Sequence, residues 1–267
     1  MNALQRLQAI VKQLRDPIHG CEWDRIQTIE SLKPYTLEET YEVLDAIDKQ
    51  DNDELKKELG DLLFQIVFYA DITNDQGLFN FDDICQAVAD KLVSRHPHIF
   101  TESCTKKPNW EQLKQKERDE REQYSILDDI PNAIPALMKA EKIQKRCVAA
   151  GFDWYELEPV LDKVKEELSE VEQEINQTVQ KQHKIEEELG DLFFATVNLA
   201  RHLKVKSELC LQKANQKFIR RFKKVECLLK EKGCTLMDAT LEEMEDAWQS
   251  VKQLEQIKSN SEVNKND

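Results

Sequence analysis

The chain reads as an all-α protein built from two tandem copies of one helical unit. Three observations lead there. Apolar residues recur at three- and four-residue spacing through most of the sequence. Helix breakers are scarce, with 6 Gly and 7 Pro in 267 residues, and aromatics make up only 7%, which speaks against a sandwich or barrel. Finally, one ordered set of short motifs occurs twice.

The elements follow in order. Leu4, Leu7, Ile10, Val11 and Leu14 mark an amphipathic helix over about 3–15, closed by Asp16-Pro17. Gly20 to Gln27 reads as a loop. Helices are expected at about 36–49 and 53–73, with turn and N-cap chemistry from Gln50-Asp51-Asn52-Asp53 between them. A helix over about 82–95 ends at His96-Pro97-His98. Residues 106–124 are almost wholly charged or polar, a solvated helix or flexible insert. Pro131, Pro135 and the pair Asp128-Asp129 mark a boundary. Helices at about 136–149, 158–176, 180–204, 207–232 and 240–256 follow. The expected organisation is an N-terminal domain over 1–127 with a charged insert at about 101–124, a linker at 128–135, a C-terminal domain over 136–258, and a disordered tail over 259–267.

The repeat is explicit. Glu58-Leu59-Gly60-Asp61-Leu62-Leu63-Phe64 returns as Glu188-Leu189-Gly190-Asp191-Leu192-Phe193-Phe194. Glu38-Glu39-x-x-Glu42 returns as Glu166-Glu167-x-x-Glu170, Gly20-Cys21-Glu22-Trp23 as Gly151-Phe152-Asp153-Trp154, and Lys91…Arg95 as Lys217…Arg221. The order is kept and the offsets stay within 126 to 131 residues, the mark of a duplication and not of a solenoid.

Charge narrows the function. With 52 acidic and 38 basic residues the formal net charge is −14, which disfavours nonspecific nucleic-acid binding. The 7 cysteines are odd in number and form no C-x-x-C, so reduced thiols in a cytoplasmic protein are expected. Gln5, Arg6 and Lys12 interrupt the first apolar stretch, which does not read as a secretory signal, and no apolar run reaches the ~18 residues that span a bilayer.

The chemistry lies in the acids. On a helix, Glu167 and Glu170 share one face, as do Glu188 and Asp191 on the next. If the two helices pair antiparallel, these carboxylates converge, and like charges so placed repel unless a cation lies among them. Hard oxygens with room for water and phosphate suit Mg²⁺ or Mn²⁺ better than zinc. A solvated acidic face is the plain alternative for any single E-x-x-E. Two details weigh against it: Leu189, Leu192, Phe193 and Phe194 place the motif at a core edge, and Gly60 and Gly190, inside helices, point to close helix approach. A di-iron carboxylate bundle is set aside because no Glu-x-x-His occurs; His19, His96, His98, His183 and His202 all lack a Glu three positions earlier.

With these motifs the sequence resembles the MazG-type all-α nucleoside triphosphate pyrophosphohydrolases, whose signature is E-E-x-x-E, a spacer and E-x-x-D. It stands here twice, as Glu38, Glu39, Glu42 with Glu58, Asp61 and as Glu166, Glu167, Glu170 with Glu188, Asp191. Cys21-Glu22-Trp23-Asp24…Gln27-Thr28, Pro34-Tyr35-Thr36-Leu37-Glu38-Glu39-Thr40 and Arg95-His96-Pro97-His98 resemble the N-terminal half of two-domain bacterial members. Lys142-Ile143-Gln144-Lys145-Arg146 and Gly151-Phe152-Asp153-Trp154 resemble their linker region. The resemblance implies Mg²⁺-dependent hydrolysis of NTPs and dNTPs at the α–β bond, broad base preference, and a homodimer in which paired copies complete four-helix bundles.

On that footing Glu167, Glu170, Glu188 and Asp191 are the expected metal ligands, with Glu39, Glu42, Glu58 and Asp61 as their N-terminal counterparts, and Glu166 is assigned to the attacking water. Lys163, Lys184, Glu187, Lys217, Arg220, Arg221 and Trp248 are expected at the substrate. Each of these lysines equally suits an ordinary i,i+4 surface pair, the basic cluster a solvated face, and Trp248 a packing role. Trp23 and Trp154 read as packing anchors. A hydrolase specialised for dUTP or dCTP, and a non-catalytic helical regulatory or dimerisation module, are the alternatives.

The copies differ where phosphate would be met. Tyr35 and Glu54 stand where the C-terminal copy has Lys163 and Lys184, so the C-terminal half is expected to carry the activity. Glu167→Gln is therefore expected to abolish nucleotide hydrolysis and Glu39→Gln to leave most of it; equal losses in a rate assay would refute the asymmetry.

Overall fold

The computed structural model describes the backbone of residues 1–100 and 125–263, and the side chains of 1–100 and 125–257. The expected charged insert at 101–124 and most of the expected tail lie outside these described residues. The chain divides into two compact units, 1–113 and 114–267. Among the described residues every regular element is helical.

The first unit holds α1 (Ala3–Leu14), a 3₁₀ turn (Asp24–Ile26), α2 (Lys33–Lys49), α3 (Asn52–Asp75), α4 (Phe81–Arg95) and the short α5 (Pro97–Phe100). Local chemistry sets its boundaries. Asn2 caps α1 in a reciprocal box with Gln5. Pro34 sits in the first turn of α2, which begins slightly earlier than its apolar pattern indicates, since a proline there gives up no helical hydrogen bond. Gln50 turns left-handed (φ 57°) to end α2, and Asp51 then accepts from the amides of Asp53 and Glu54 to start α3. Hence two residues suffice to join α2 to α3, and the two helices pack together. Val11, Leu32, Val67, Phe68 and Ile72 form the core beneath them. Arg15, at the end of α1, clamps Asp71 and Asp75 of α3.

The second unit holds α6 (Ala136–Ala149), α7 (Leu157–Ile175), α8 (Gln182–His202), α9 (Ser207–Glu231) and α10 (Leu241–Val263). The last helix runs past its expected end at 256. Helices α7 and α8 pack together as α2 and α3 do, α6 lies against α8, and α9 pairs with α10 over a core of Val225, Leu229, Ala247 and Val251. Arg146 on α6 holds the incoming chain by donating to the carbonyls of Ile126 and Asp128.

One expectation is corrected here. A Cβ added at Gly60 or Gly190 would meet nothing within 4 Å, so neither glycine marks a close helix approach among the described residues. Leu189, Phe193 and Phe194 are 38%, 57% and 42% exposed beside the buried Ala195 and Val197, a core edge as the sequence indicates.

Phe68 has no exposed surface and sits at the centre of the first core. Phe68→Ala is expected to destabilise that unit by about 3–5 kcal/mol. The loss should be read from faster hydrogen exchange of the α3 amides in the full-length chain.

Candidate active site

Each helix pair gathers carboxylates on one face. Glu167 and Glu170 point from α7, and Glu188 from α8, so that one oxygen of each lies within 4.8 Å of the others. Glu39 from α2 with Glu58 and Asp61 from α3 forms the same group in the first unit. Three hard oxygens at such spacing make a donor set for a divalent cation. Asp191 and Glu42 stand outside these three-oxygen groups. Asp191 is exposed and borders a cavity together with Glu167, and Glu42 lies beside Glu58, to which it is hydrogen-bonded.

Electrostatics records the crowding. Partial burial, then a hydrogen bond shared with Glu54 and repulsion from Glu42, pushes the Glu58 carboxyl up to about 7. Glu39 is raised by burial and by Asp61, Glu42 and Glu38. Glu170 is raised by burial, by its hydrogen bond with Glu167 and by the charges of Glu167 and Glu188.

The second unit supplies cations that the first does not. Lys163 Nζ bridges Glu166 Oε1 at 2.9 Å and Glu167 Oε1 at 2.8 Å, and both contacts raise its pKa. Glu167 is only 5% exposed, so this lysine offsets a buried charge. Lys184 pairs with Glu187 at 2.6 Å, three residues on, and not with Glu188. That contact raises Lys184 and lowers Glu187. In the first unit Tyr35 packs edge-on against Trp23 with centroids 5.3 Å apart, and Glu54 pairs with Lys57 at 2.7 Å.

The basic cluster on α9 is engaged by α10. Glu255 accepts from Arg221 Nε at 2.8 Å and Lys224 Nζ at 2.6 Å, and lies 3.7 Å from Arg220 Nε. These cations hold its carboxyl down to about 2, Lys224 foremost. Lys217 is exposed. Trp248 packs against the α9–α10 core, 5.1 Å from the Phe218 ring and under the Arg221 guanidinium at 6.0 Å. Its ring is thus spoken for by protein groups.

A cavity of about 380 Å³ opens beside Lys163, Glu167 and Asp191. Its walls include residues to which no role fell from the sequence: Gln144, Cys147, Phe194 and Arg201. Trp154 is 44% exposed at its rim, which corrects its reading as a packing anchor. The signals were present, since Gln144 and Trp154 lie in the quoted Lys142–Arg146 and Gly151–Trp154 stretches, but neither stretch carries a metal-binding pattern. Glu255 had no local signal, because its partners lie some thirty residues away in sequence.

Comparison with known proteins settles the ancestry of these two helix pairs. The MazG nucleotide pyrophosphohydrolase domain matches residues 27–100 and again 156–226. The chain belongs to the MazG family. It is 55% identical over 260 residues to the nucleoside triphosphate pyrophosphohydrolase of Escherichia coli K12, covering 96% of this chain and 99% of that protein. The protein of Thermotoga maritima called nucleoside triphosphate pyrophosphohydrolase/pyrophosphatase MazG is 41% identical over 249 residues, 93% of this chain and 95% of its own. A nucleoside triphosphate pyrophosphohydrolase of Mycolicibacterium smegmatis matches at 39% over about half of this chain and 42% of its own length. The two domain matches coincide with the two carboxylate groups, which makes the internal repeat two MazG units. Among the described residues of this MazG-family chain, no helix is long and apolar enough to cross a membrane.

The raised carboxyl of Glu58 fixes the sign of a pH effect. Its folded value of about 7 lies above the ordinary 4.5, so the folded state binds more protons between those values, and stability falls as pH rises through that window. In EDTA the thermal midpoint of the full chain is expected to fall between pH 5 and pH 8. Glu58→Gln should flatten that dependence; an unchanged slope would show that Glu58 ionises freely.

Proposed function

We propose that the chain hydrolyses nucleoside triphosphates and deoxynucleoside triphosphates at the α–β phosphate bond, yielding a nucleoside monophosphate and pyrophosphate, with its main active site in the C-terminal half. The observation that carries this reading is the cluster of Glu167, Glu170 and Glu188 with Lys163 at its edge, in a chain similar over nearly its whole length to proteins named for that activity.

Glu167, Glu170 and Glu188 would hold Mg²⁺ or Mn²⁺, with Asp191 as a further ligand. A divalent cation held there supplies charge neutralisation at the phosphate oxygens. The protein supplies the rest. Glu166, 57% exposed at its side chain and anchored by Lys163, accepts the proton of the attacking water. Lys163 and Lys184 then exchange carboxylate contacts for phosphate, and Glu187 keeps Lys184 directed along α8. Arg220 and Arg221 grip the outer phosphates with Lys217. The first unit has two acid-facing positions without lysine, which supports a metal-binding or assembly role for it. The base is broadly tolerated.

A homodimer fits the uncovered apolar side chains. Leu161, Leu168 and Ile175 on α7, and Leu189 and Phe193 on α8, are all more than a third exposed. Contiguous apolar surface on paired helices calls for a second helix pair to cover it. The cysteines among the described residues are free, which supports a reducing, cytoplasmic setting.

Phosphorus NMR of a reaction containing ATP, dTTP and Mg²⁺ tests the reading. The expected products are pyrophosphate and nucleoside monophosphates. Orthophosphate with nucleoside diphosphate would mean β–γ cleavage, and no turnover would favour a non-catalytic module; either result overturns the proposal.

A further inference from the structure

The apolar seam between α9 and α10 ends in charge. Leu229 and Val225 on α9, and Ala247 and Val251 on α10, are buried at four-residue spacing. The next place on each face falls to Arg221 and Glu255. An apolar pair there would continue the packing. Instead a guanidinium and a carboxylate meet, with side chains only 22% and 20% exposed. Apolar side chains in place of a buried ion pair are often neutral or stabilising, so stability does not by itself account for this one.

The carboxylate is held at both oxygens. Lys224 Nζ donates to Glu255 Oε1 at 2.6 Å, and Arg221 Nε donates to Oε2 at 2.8 Å. Arg220 Nε lies 3.7 Å from Oε1. With Lys224 on one oxygen, the other stays turned to Arg221. Lys224 first, and Arg221 next, hold the carboxyl down to about 2, so its charge is present at any ordinary working pH.

Arg221 is gripped in a particular way. The Nε contact is its one hydrogen bond among the described residues, which leaves both Nη groups without a protein partner. Its Cζ stands 6.0 Å from the Trp248 ring centroid, and Trp248 is itself set against Phe218 at 5.1 Å. A guanidinium fixed through Nε and over a ring keeps its planar Nη edge open, and that edge matches two oxygens of one anion.

We propose that Glu255 is a positioning residue for the outer phosphates of the triphosphate: it holds Arg221 by Nε, so that the Nη edge is already aimed when the substrate arrives. The inference rests on the hydrolase reading above and adds the residue that orders its phosphate grip. Ordering a long side chain in advance removes that cost from binding. Glu255 does not meet the reacting atoms, so its loss falls on KM and not on kcat. The effect belongs to the phosphates, and a bare polyphosphate feels it as a nucleotide does.

A coupling cycle in the full-length chain tests this. Glu255→Leu continues the apolar seam and removes the acceptor. It is expected to raise KM for ATP with Mg²⁺ about tenfold, with kcat held within about threefold. Its thermal midpoint should stay within about 4 °C of the wild-type value. Inhibition by inorganic tripolyphosphate should weaken by about the same tenfold. Arg221→Lys keeps the charge but lacks the fork, and is expected to raise KM about tenfold as well; adding Glu255→Leu to it should then change KM by less than about twofold. An unchanged KM in Glu255→Leu, unchanged inhibition by tripolyphosphate, or a further tenfold loss on the Arg221→Lys background overturns the proposal. If the leucine variant does not fold, Glu255→Gln keeps the side-chain shape and is expected to raise KM about threefold; an unchanged KM there overturns the proposal equally. Turnover of ATP by the wild-type chain separates these outcomes from failure of the hydrolase reading. Without turnover, calorimetric binding of tripolyphosphate with Mg²⁺ reads the same coupling.

Discussion

Three carboxylates from two helices lie within 4.8 Å of one another, and that repulsive arrangement is the constraint around which each unit is organised. Packing must hold it, because the charges oppose it. The two units meet the cost differently. In the second, Lys163 lies against the nearly buried Glu167 and compensates its charge. In the first, no lysine occupies that place, and a proton does part of the work: Glu58 stays protonated to about 7. A divalent cation would serve both, and the second copy also brings the Lys163 ammonium to its carboxylates.

The surrounding architecture follows from that difference. The first unit spends its α3 interior on Phe68 and Gln65, and Arg15 ties α1 down over them. The second replaces those positions with Asn198 and Ala195, and moves its ion pair to the rim as Arg201–Asp153. Core volume is exchanged for a cavity, and cavities in native folds are uncommon unless something occupies them.

The basic cluster on α9 is balanced by an acid in the same way. Glu255 gathers Arg221 and Lys224 and lies near Arg220, which fixes α10 to α9. Three cations on one carboxylate leave net positive charge facing outward. Trp248, beneath Arg221, contributes by packing against Phe218.

Sequence alone determined the helical class, the duplication, the turn and cap at Gln50 to Asp53, and the identity of the acids, since all of these depend on local periodicity and capping. Pairs three or four residues apart were legible for the same reason, as with Lys163 and Glu167. What only the tertiary structure decided lies across helices. Helix register left Asp191 and Glu42 outside the three-oxygen groups, and it set Glu255 of α10 against the cations of α9. Packing left Gly60 and Gly190 in open space and exposed Phe193. The hollow beside Glu167 and its filled counterpart at Phe68 were equally out of reach, because whether a side chain fills space or borders it depends on what every neighbouring helix brings to the same place.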